Sequence, residues 1–420
     1  MNLPFAAGEP LSQKDFQSLR TNLIFDYCKW DIQSEDHSVI ADFPLFLDTA
    51  EWKAVSAIAE RLAAEALAAE KELIGRKDLF ARLAIPRQIQ KVLARCDPDQ
   101  LPESAARVMR FDFHFTSEGW RISEVNADVP GGFIEASGLA SLIAPHYPDH
   151  SGPPDAASTY VSAVSQVATP ATVIGLVHAT AHSDDRQVME YLAQILRRLG
   201  HQTVIAAPNH LQWNSGTAQI KSGFASATPA ALIRFFPAEW LPNIHPATSW
   251  QPWFCGARTP VSNPGSAILI QSKRFPLAWP ELRTPLSAWR EFLSETKYPN
   301  DFLDSRDNWV FKPVFGRVGE DIAIDGVTEP RAFQQIMKDV QRHPSHYIAQ
   351  RRFKTISIET PRGTKHVCLG IFTVDGRAAG IYGRIASTPL IDQNAQDIAV
   401  LFKLRDSKPN AEPATQINND

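Results

Sequence analysis

Hydrophobic and polar positions alternate strictly in FDFHF: Phe111, Phe113 and Phe115 take one face, and Arg110, Asp112 and His114 take the other. Alternation resumes in WRISEVN, so the stretch RFDFHFTSEGWRISEVNADVP, Arg110 to Pro130, reads as two strands joined by a turn. A three-residue loop, Ser117-Glu118-Gly119, places glycine at the third position, where a type I turn followed by a bulge needs a left-handed residue. Thr116 then opposes Trp120. Counting outward, Asp112 opposes Glu124 and Arg110 opposes Asn126, so four polar groups share one face. A two- or four-residue loop would turn Glu124 and Asn126 to the opposite face.

The period changes along the chain. Residues 50–95 carry apolar positions at helical spacing in an Ala-, Leu- and Glu-rich run, which predicts packing helices. FIEASGLASLIA predicts a helix after the hairpin. ATVIGLV, DDRQVMEYLAQILRRLG, HQTVIAA and AALIRFF (Ala230 to Phe236) predict strand, helix, strand and strand, a βαβ unit with a parallel sheet. Its first turn, VHATAHSDD, contains no glycine, which excludes a dinucleotide fingerprint. Residues 266–405 read mostly as strands (SAILIQSKRF, NWVFKPVFGRVGEDIAI, HYIAQRRF, KHVCLGIFTVDGRAAGIYGRIA), with helices at about 287–296 and 330–342. The polar, Pro- and Asn-rich end, 406–420, predicts a flexible tail.

The balance of 42 basic against 46 acidic residues, with no long run of either sign, excludes a nucleic-acid polyelectrolyte partner. No stretch approaches the roughly 18 apolar residues of a membrane span, and the start has no signal-peptide pattern. Cys28, Cys96, Cys255 and Cys368 lack CxxC spacing and are expected to be reduced thiols in a cytoplasmic protein. His178 and His182 are four apart but sit before the helix begins, where a loop or capping role outweighs metal ligation.

Two carboxylates opposed at about 5 Å repel each other. Asp112, Glu124 and the amide oxygen of Asn126 form an oxygen-only set suited to Mg²⁺. A solvated Arg–Asp pair on a surface hairpin is the alternative. FKPVFGRVGEDIAI adds a strand, a glycine-containing loop and a strand. Lys312 could reach a phosphate, and Gly316 and Gly319 flank Arg317, letting backbone N–H groups approach phosphate oxygens. No GK[ST] follows, so this is not a Walker loop. Lys273 follows the apolar run AILI, and Arg384 lies late in a strand before Pro389, Leu390 and Ile391.

Taken in order from about residue 25 to 403, these segments resemble the glutathionylspermidine synthase family of ATP-grasp ligases. RFDF and SEVNAD resemble its R-x-D and E-x-N-A-D metal hairpin, LIRFFPAEWL its R-[LF]-[FY]-P-x-E-W-[LM] segment, and QSKRFPLAWPEL the segment with its first ATP lysine. FKPVFGRVGEDI resembles its phosphate loop, YIAQRRF its adenine hinge, and GIYGRIASTPLI the strand with its transition-state arginine. The resemblance implies that Asp112, Glu124 and Asn126 hold Mg²⁺, two ions accompanying ATP, and that Arg110 contacts ATP phosphate and the acyl substrate. It implies ATP contacts for Lys273, Lys312, Gly316, Arg317, Gly319, Gln350, Arg351, Phe353, Leu390 and Ile391. Arg384 would stabilise the transferring phosphoryl group, with Arg384 and Arg110 as the catalytic pair.

The metal hairpin precedes the phosphate loop, which implies a permuted ATP-grasp fold of mixed α/β class with a pre-ATP-grasp-like βαβ domain between the two halves of the site. The expected division is 1–165 for the helical region plus metal hairpin, 166–262 for the α/β domain and 263–405 for the nucleotide-binding lobes. The implied activity is an ATP-dependent carboxylate–amine ligase acting on a small-molecule or short-peptide carboxylate and an amine, with a homodimer as the assembly left open. The family's hydroxyl residues after its E-x-N-A-D motif are replaced here by Val129, Pro130, Gly131 and Gly132, GREG reads GRVG, and the residue pair after the arginine reads IA. Those departures leave the substrate pair unassigned and support one rival reading, a nucleotide-binding protein of this fold without ligase chemistry.

Overall fold

The computed structural model describes residues 3–34, 37–97, 104–169, 171–223, 226–245, 248–303, 306–316 and 319–404; the expected tail at 406–420 and Arg317 lie outside them. The chain runs through helix α1 (Thr49–Ile74), strands β1 (Val108–Thr116) and β2 (Gly119–Asn126), then β3 (Val173–His178), α2 (Ser183–Arg198), β4 (Gln202–Ala206) and β5 (Ala231–Phe235). It continues through β6 (Trp309–Pro313), α3 (Pro330–Arg342), β7 (Tyr347–Arg351), β8 (Lys365–Val374) and β9 (Arg377–Ala386).

The largest sheet joins distant parts of the chain. Its order is Gln396–Ile398, β9, β8, β1, β2, all antiparallel. α1 starts at Asp48, whose carboxylate accepts from the Ala50 N–H at 2.6 Å. One face of α1 buries Val55, Ala59, Leu62, Ala63, Ala66 and Leu73 in the core that also holds Phe111, Phe113 and Leu369. That face packs the apolar side of the sheet and leaves the polar side of β1 and β2 free for chemistry. Gly370, opposite Asp112, is needed here: a Cβ would sit 2.7 Å from the Arg110 side chain.

A second antiparallel sheet has the order Thr296–Lys297, β7, β6, Ala323–Ile324, backed by α3 through Phe333, Ile336, Met337 and Val340. The βαβ unit forms as its periodicity predicts: β4, β3, β5 and Val261–Ser262 make a parallel sheet, and α2 ends before Gly200, which has φ +89°.

Two expectations are corrected. SAILIQ is helical rather than a strand, as the turns Gly265–Ala267 and Ile268–Gln271. A short apolar run carries no period that separates a strand from a buried helix. Cys96 and Cys255 are joined by a disulfide rather than left as thiols. The end of the helix Arg87–Leu93 and the turn Gln251–Trp253 lead into this pair, whose Cα atoms stand 5.7 Å apart across a separation that no local spacing motif could reveal. This removes the cysteine argument for a reducing compartment. Cys28 and Cys368 are free and buried. Among the described residues no helix is long and apolar enough to cross a membrane.

Candidate functional site

The hairpin reaches the expected pairing by an unexpected route. Its turn has two residues, not three: Thr116 pairs with Gly119 and Phe115 with Trp120. That register alone would have misplaced Glu124. A β-bulge between Asp112 and Phe113 inserts Ser123 and resets the count, so Asp112 faces Glu124 and Arg110 faces Asn126. The shorter turn also puts Ser123 on this face, where its Oγ lies 3.1 Å from His114 Nε2.

Asp112 is 1% exposed and anchors the cluster. Arg110 donates to both its oxygens, at 2.8 and 3.1 Å, and Arg384 donates to Oδ2 at 2.8 Å. Asn126 Nδ2 stands 3.4 Å from the same oxygen. Burial pushes the carboxyl up, but the two guanidiniums outweigh burial and hold it at about 2. Burial also pushes Glu124 up, and Lys273, whose Nζ is 3.1 Å away, brings it below the ordinary value. The repulsion expected between the two carboxylates is thus answered by a separate set of cations at each.

Lys312 enters from β6 and donates to Gln350 Oε1 at 2.8 Å and to the Ser123 carbonyl at 3.1 Å. Burial lowers its pKa to about 8. Burial also lowers His114 to about 4, leaving its ring neutral near pH 7, and raises the Cys368 thiol to about 12. Arg384 is held protonated, because Asp112 outweighs the effect of its burial. Its Nε is buried without a hydrogen-bond partner, so the guanidinium retains an unused donor.

Between the two sheets lies a partly open cleft. Asp112, Glu124, Lys312 and Arg384 gather in it with an apolar lining that includes Val310, Ile324, Phe353, Leu390 and Ile391. Gly319, Gln350 and Arg351 also line it. The Arg351 guanidinium is engaged by Glu295 at 3.2 Å and lies over the Trp309 ring at 4.8 Å. Arg110 lies behind Asp112, donating to the Gly131 carbonyl at 2.7 Å and stacking over Tyr382. Lys273 and Glu124 meet at an adjoining cavity, where Lys273 Nζ donates to the Gly316 carbonyl at 2.9 Å.

Sequence reasoning passed over several of these groups. His114 and Ser123 line the cleft, and they share a face because the turn has two residues and not the expected three. Arg234, fully buried on β5, pairs with Asp128 and donates to the Asn263 and Phe236 carbonyls, tying the loop after the hairpin to the βαβ sheet. The available signal was an arginine inside the apolar strand ALIRFF, since a buried charge requires a partner. Gln271 fixes the same loop by accepting from the Ala127 and Asp128 N–H groups at 2.8 and 3.0 Å.

The donor set suits Mg²⁺ by its chemistry, with two ionised carboxylates and an amide on paired strands, although Asn126 turns its Nδ2 towards Asp112 and lines neither cavity. No group of three His, Cys, Asp or Glu suited to a metal occurs among the described residues, so this two-carboxylate, one-amide set would need further oxygens from water or a substrate phosphate.

Residues 13–403 match the family model described as Glutathionylspermidine synthase preATP-grasp. No curated protein matches the sequence. Among solved structures, a glutathione synthetase-like effector from Globodera pallida in its apo form shares 11% identity, covering 94% of this chain and 97% of that one, with a TM-score of 0.62. A protein assigned as a gamma-glutamylcysteine synthetase from Methylobacillus flagellatus shares 12% identity over 79% of this chain and 86% of that one, with a TM-score of 0.42. The first of these likenesses concerns the fold alone, and the second is too low to carry an argument. With nearly its whole length matched and a mixed α/β architecture of the ATP-grasp-related kind, the chain belongs to the glutathionylspermidine synthase preATP-grasp family.

Proposed function

We propose that this protein is an ATP-dependent carboxylate–amine ligase that forms an amide through an acyl phosphate. One observation carries the reading. A single cleft between two sheets gathers two ionised carboxylates, a buried lysine and a buried arginine with an unused donor, beside an apolar lining suited to a base.

In the proposed reaction, an oxygen of the acid substrate attacks the γ-phosphorus of ATP and ADP leaves. The amine then attacks the acyl carbon, phosphate departs, and the amine gives up a proton. Lys312 and Arg384 bind and orient the phosphates and balance charge that builds on the transferring group. Asp112, Glu124 and Asn126 would hold Mg²⁺, which supplies Lewis-acid neutralisation of phosphate oxygens when bound. Arg384 and Lys273 now cap those carboxylates. Phosphate oxygens are the natural competitors for both cations, so nucleotide binding would free the carboxylates for metal. Gln350, Arg351, Phe353, Leu390 and Ile391 would enclose the base, with Gly316 and Gly319 near the phosphates.

The test is ADP release across a panel of amino acids, dipeptides, glutathione, polyamines and simple amines. Turnover that needs one acid and one amine together supports the ligase. Nucleotide binding with no turnover on any pair favours a binding protein of the same fold.

A further inference from the structure

His114 lines the cleft, and the ligase reading leaves it without work. It lies two residues beyond Asp112 on the same strand face, and its ring stands 5.5 Å from that of Phe353. That places it at the seam between the charged groups and the apolar lining. Its side chain is buried, with the residue 5% exposed. Ser123 Oγ engages Nε2 at 3.1 Å, while Nδ1 is buried with no hydrogen-bond partner. Buried polar atoms in native proteins are nearly always paired, so an idle ring nitrogen on a residue that lines the cleft marks a position for a ligand atom.

We propose that His114, held in place by Ser123, hydrogen-bonds a ribose hydroxyl of the bound nucleotide and makes the cleft selective for ribonucleotides. The inference rests on the nucleotide reading above. A nucleotide laid with its phosphates on Lys312 and Arg384 and its base against Phe353, Leu390 and Ile391 brings its sugar across the seam where His114 lies. A hydroxyl both donates and accepts, so it satisfies Nδ1 in either tautomer that Ser123 selects. A base amine or carbonyl would satisfy only one.

The test is equilibrium binding of ATP, 2′-deoxy-ATP and 3′-deoxy-ATP to the wild type, His114→Phe and His114→Asn. The wild type is expected to bind one deoxy analogue about tenfold more weakly than ATP. His114→Phe reduces that gap to about twofold or less, with ATP falling towards the deoxy level, and His114→Asn restores part of it because its amide lies near the position of Nδ1. Equal wild-type affinity for all three nucleotides overturns the inference and leaves the nucleotide reading standing. Discrimination that survives His114→Phe overturns the role of His114. Failure of all three to bind overturns both readings. If His114→Phe does not fold, Ser123→Ala carries the same test, because loosening the ring must reduce the discrimination; unchanged discrimination there also overturns the proposal.

Discussion

Asp112→Asn removes one negative charge from a carboxylate that two guanidiniums share. From the sequence, Asp112 and Glu124 repel each other, so neutralising Asp112 would relieve strain and leave the fold intact. The structure reverses that expectation. Arg110 and Arg384 both end on Asp112, and an amide there leaves two buried cations facing each other. The shift of the carboxyl from 3.8 to about 2 corresponds to roughly 2–3 kcal/mol of stability at neutral pH. Because the folded pKa is depressed, that contribution is fully present above the unfolded value and is lost as pH falls through the folded one. Breaking a buried pair from one side costs roughly 3–5 kcal/mol. The two figures bracket a loss of about 2–5 kcal/mol, which lowers the melting temperature by several degrees. A double-mutant cycle with Arg384→Gln, read by thermal melting near neutral pH, isolates the cause. The double variant should lose less than the two single variants together, because Arg384 is no longer orphaned. An Asp112→Asn protein melting within about one degree of wild type, or strictly additive losses, would refute the reasoning.

Lys312 is held at about 8 by burial, and phosphate oxygens beside it would raise that value, so nucleotide binding takes up a proton near pH 8 and weakens as pH rises through it. Calorimetry in two buffers of different ionisation enthalpy reads the uptake, and its absence contradicts a phosphate contact at Lys312. Arg234→Met leaves Asp128 buried without its cation and is expected to destabilise by roughly 3–5 kcal/mol; a melting temperature unchanged from wild type would contradict that. Gly132→Ala meets both a φ of +96° and the Tyr382 ring 2.5 Å from the new Cβ, so it should lower the melting temperature where Gly223→Ala, in open space, does not. Alkylation of the denatured, unreduced protein should label Cys28 and Cys368, with Cys96 and Cys255 reacting only after reduction.

What was legible in the sequence is what depends on local period. Alternation gave the hairpin, helical spacing gave α1 and α2, and an apolar run before a helix and another strand gave the βαβ sheet. The partners of these elements were hidden, because β8 and β9 join β1 from far along the chain and no local pattern encodes that. The opposition of Asp112 to Glu124 was inferred from a turn the protein does not use. Two errors of register cancelled, since a shorter turn is offset by the bulge at Ser123. Charge balance was misread for a related reason: Lys273 and Arg384 cap the carboxylates from other elements, so the hairpin alone showed repulsion without its remedy. Arg234 and Asp128 lie on different elements too, and only the fold reveals their pairing.

The acyl phosphate is the centre of the account, and oxygen transfer tests it most directly. Once the panel identifies a productive pair, the acid is supplied with ¹⁸O in its carboxylate, and the released phosphate and the condensed product are weighed by mass spectrometry. The account predicts one ¹⁸O in inorganic phosphate for each amide formed, with one ADP. Unlabelled phosphate accompanying amide formation, or phosphate released at the same rate without the amine or the acid, would contradict it.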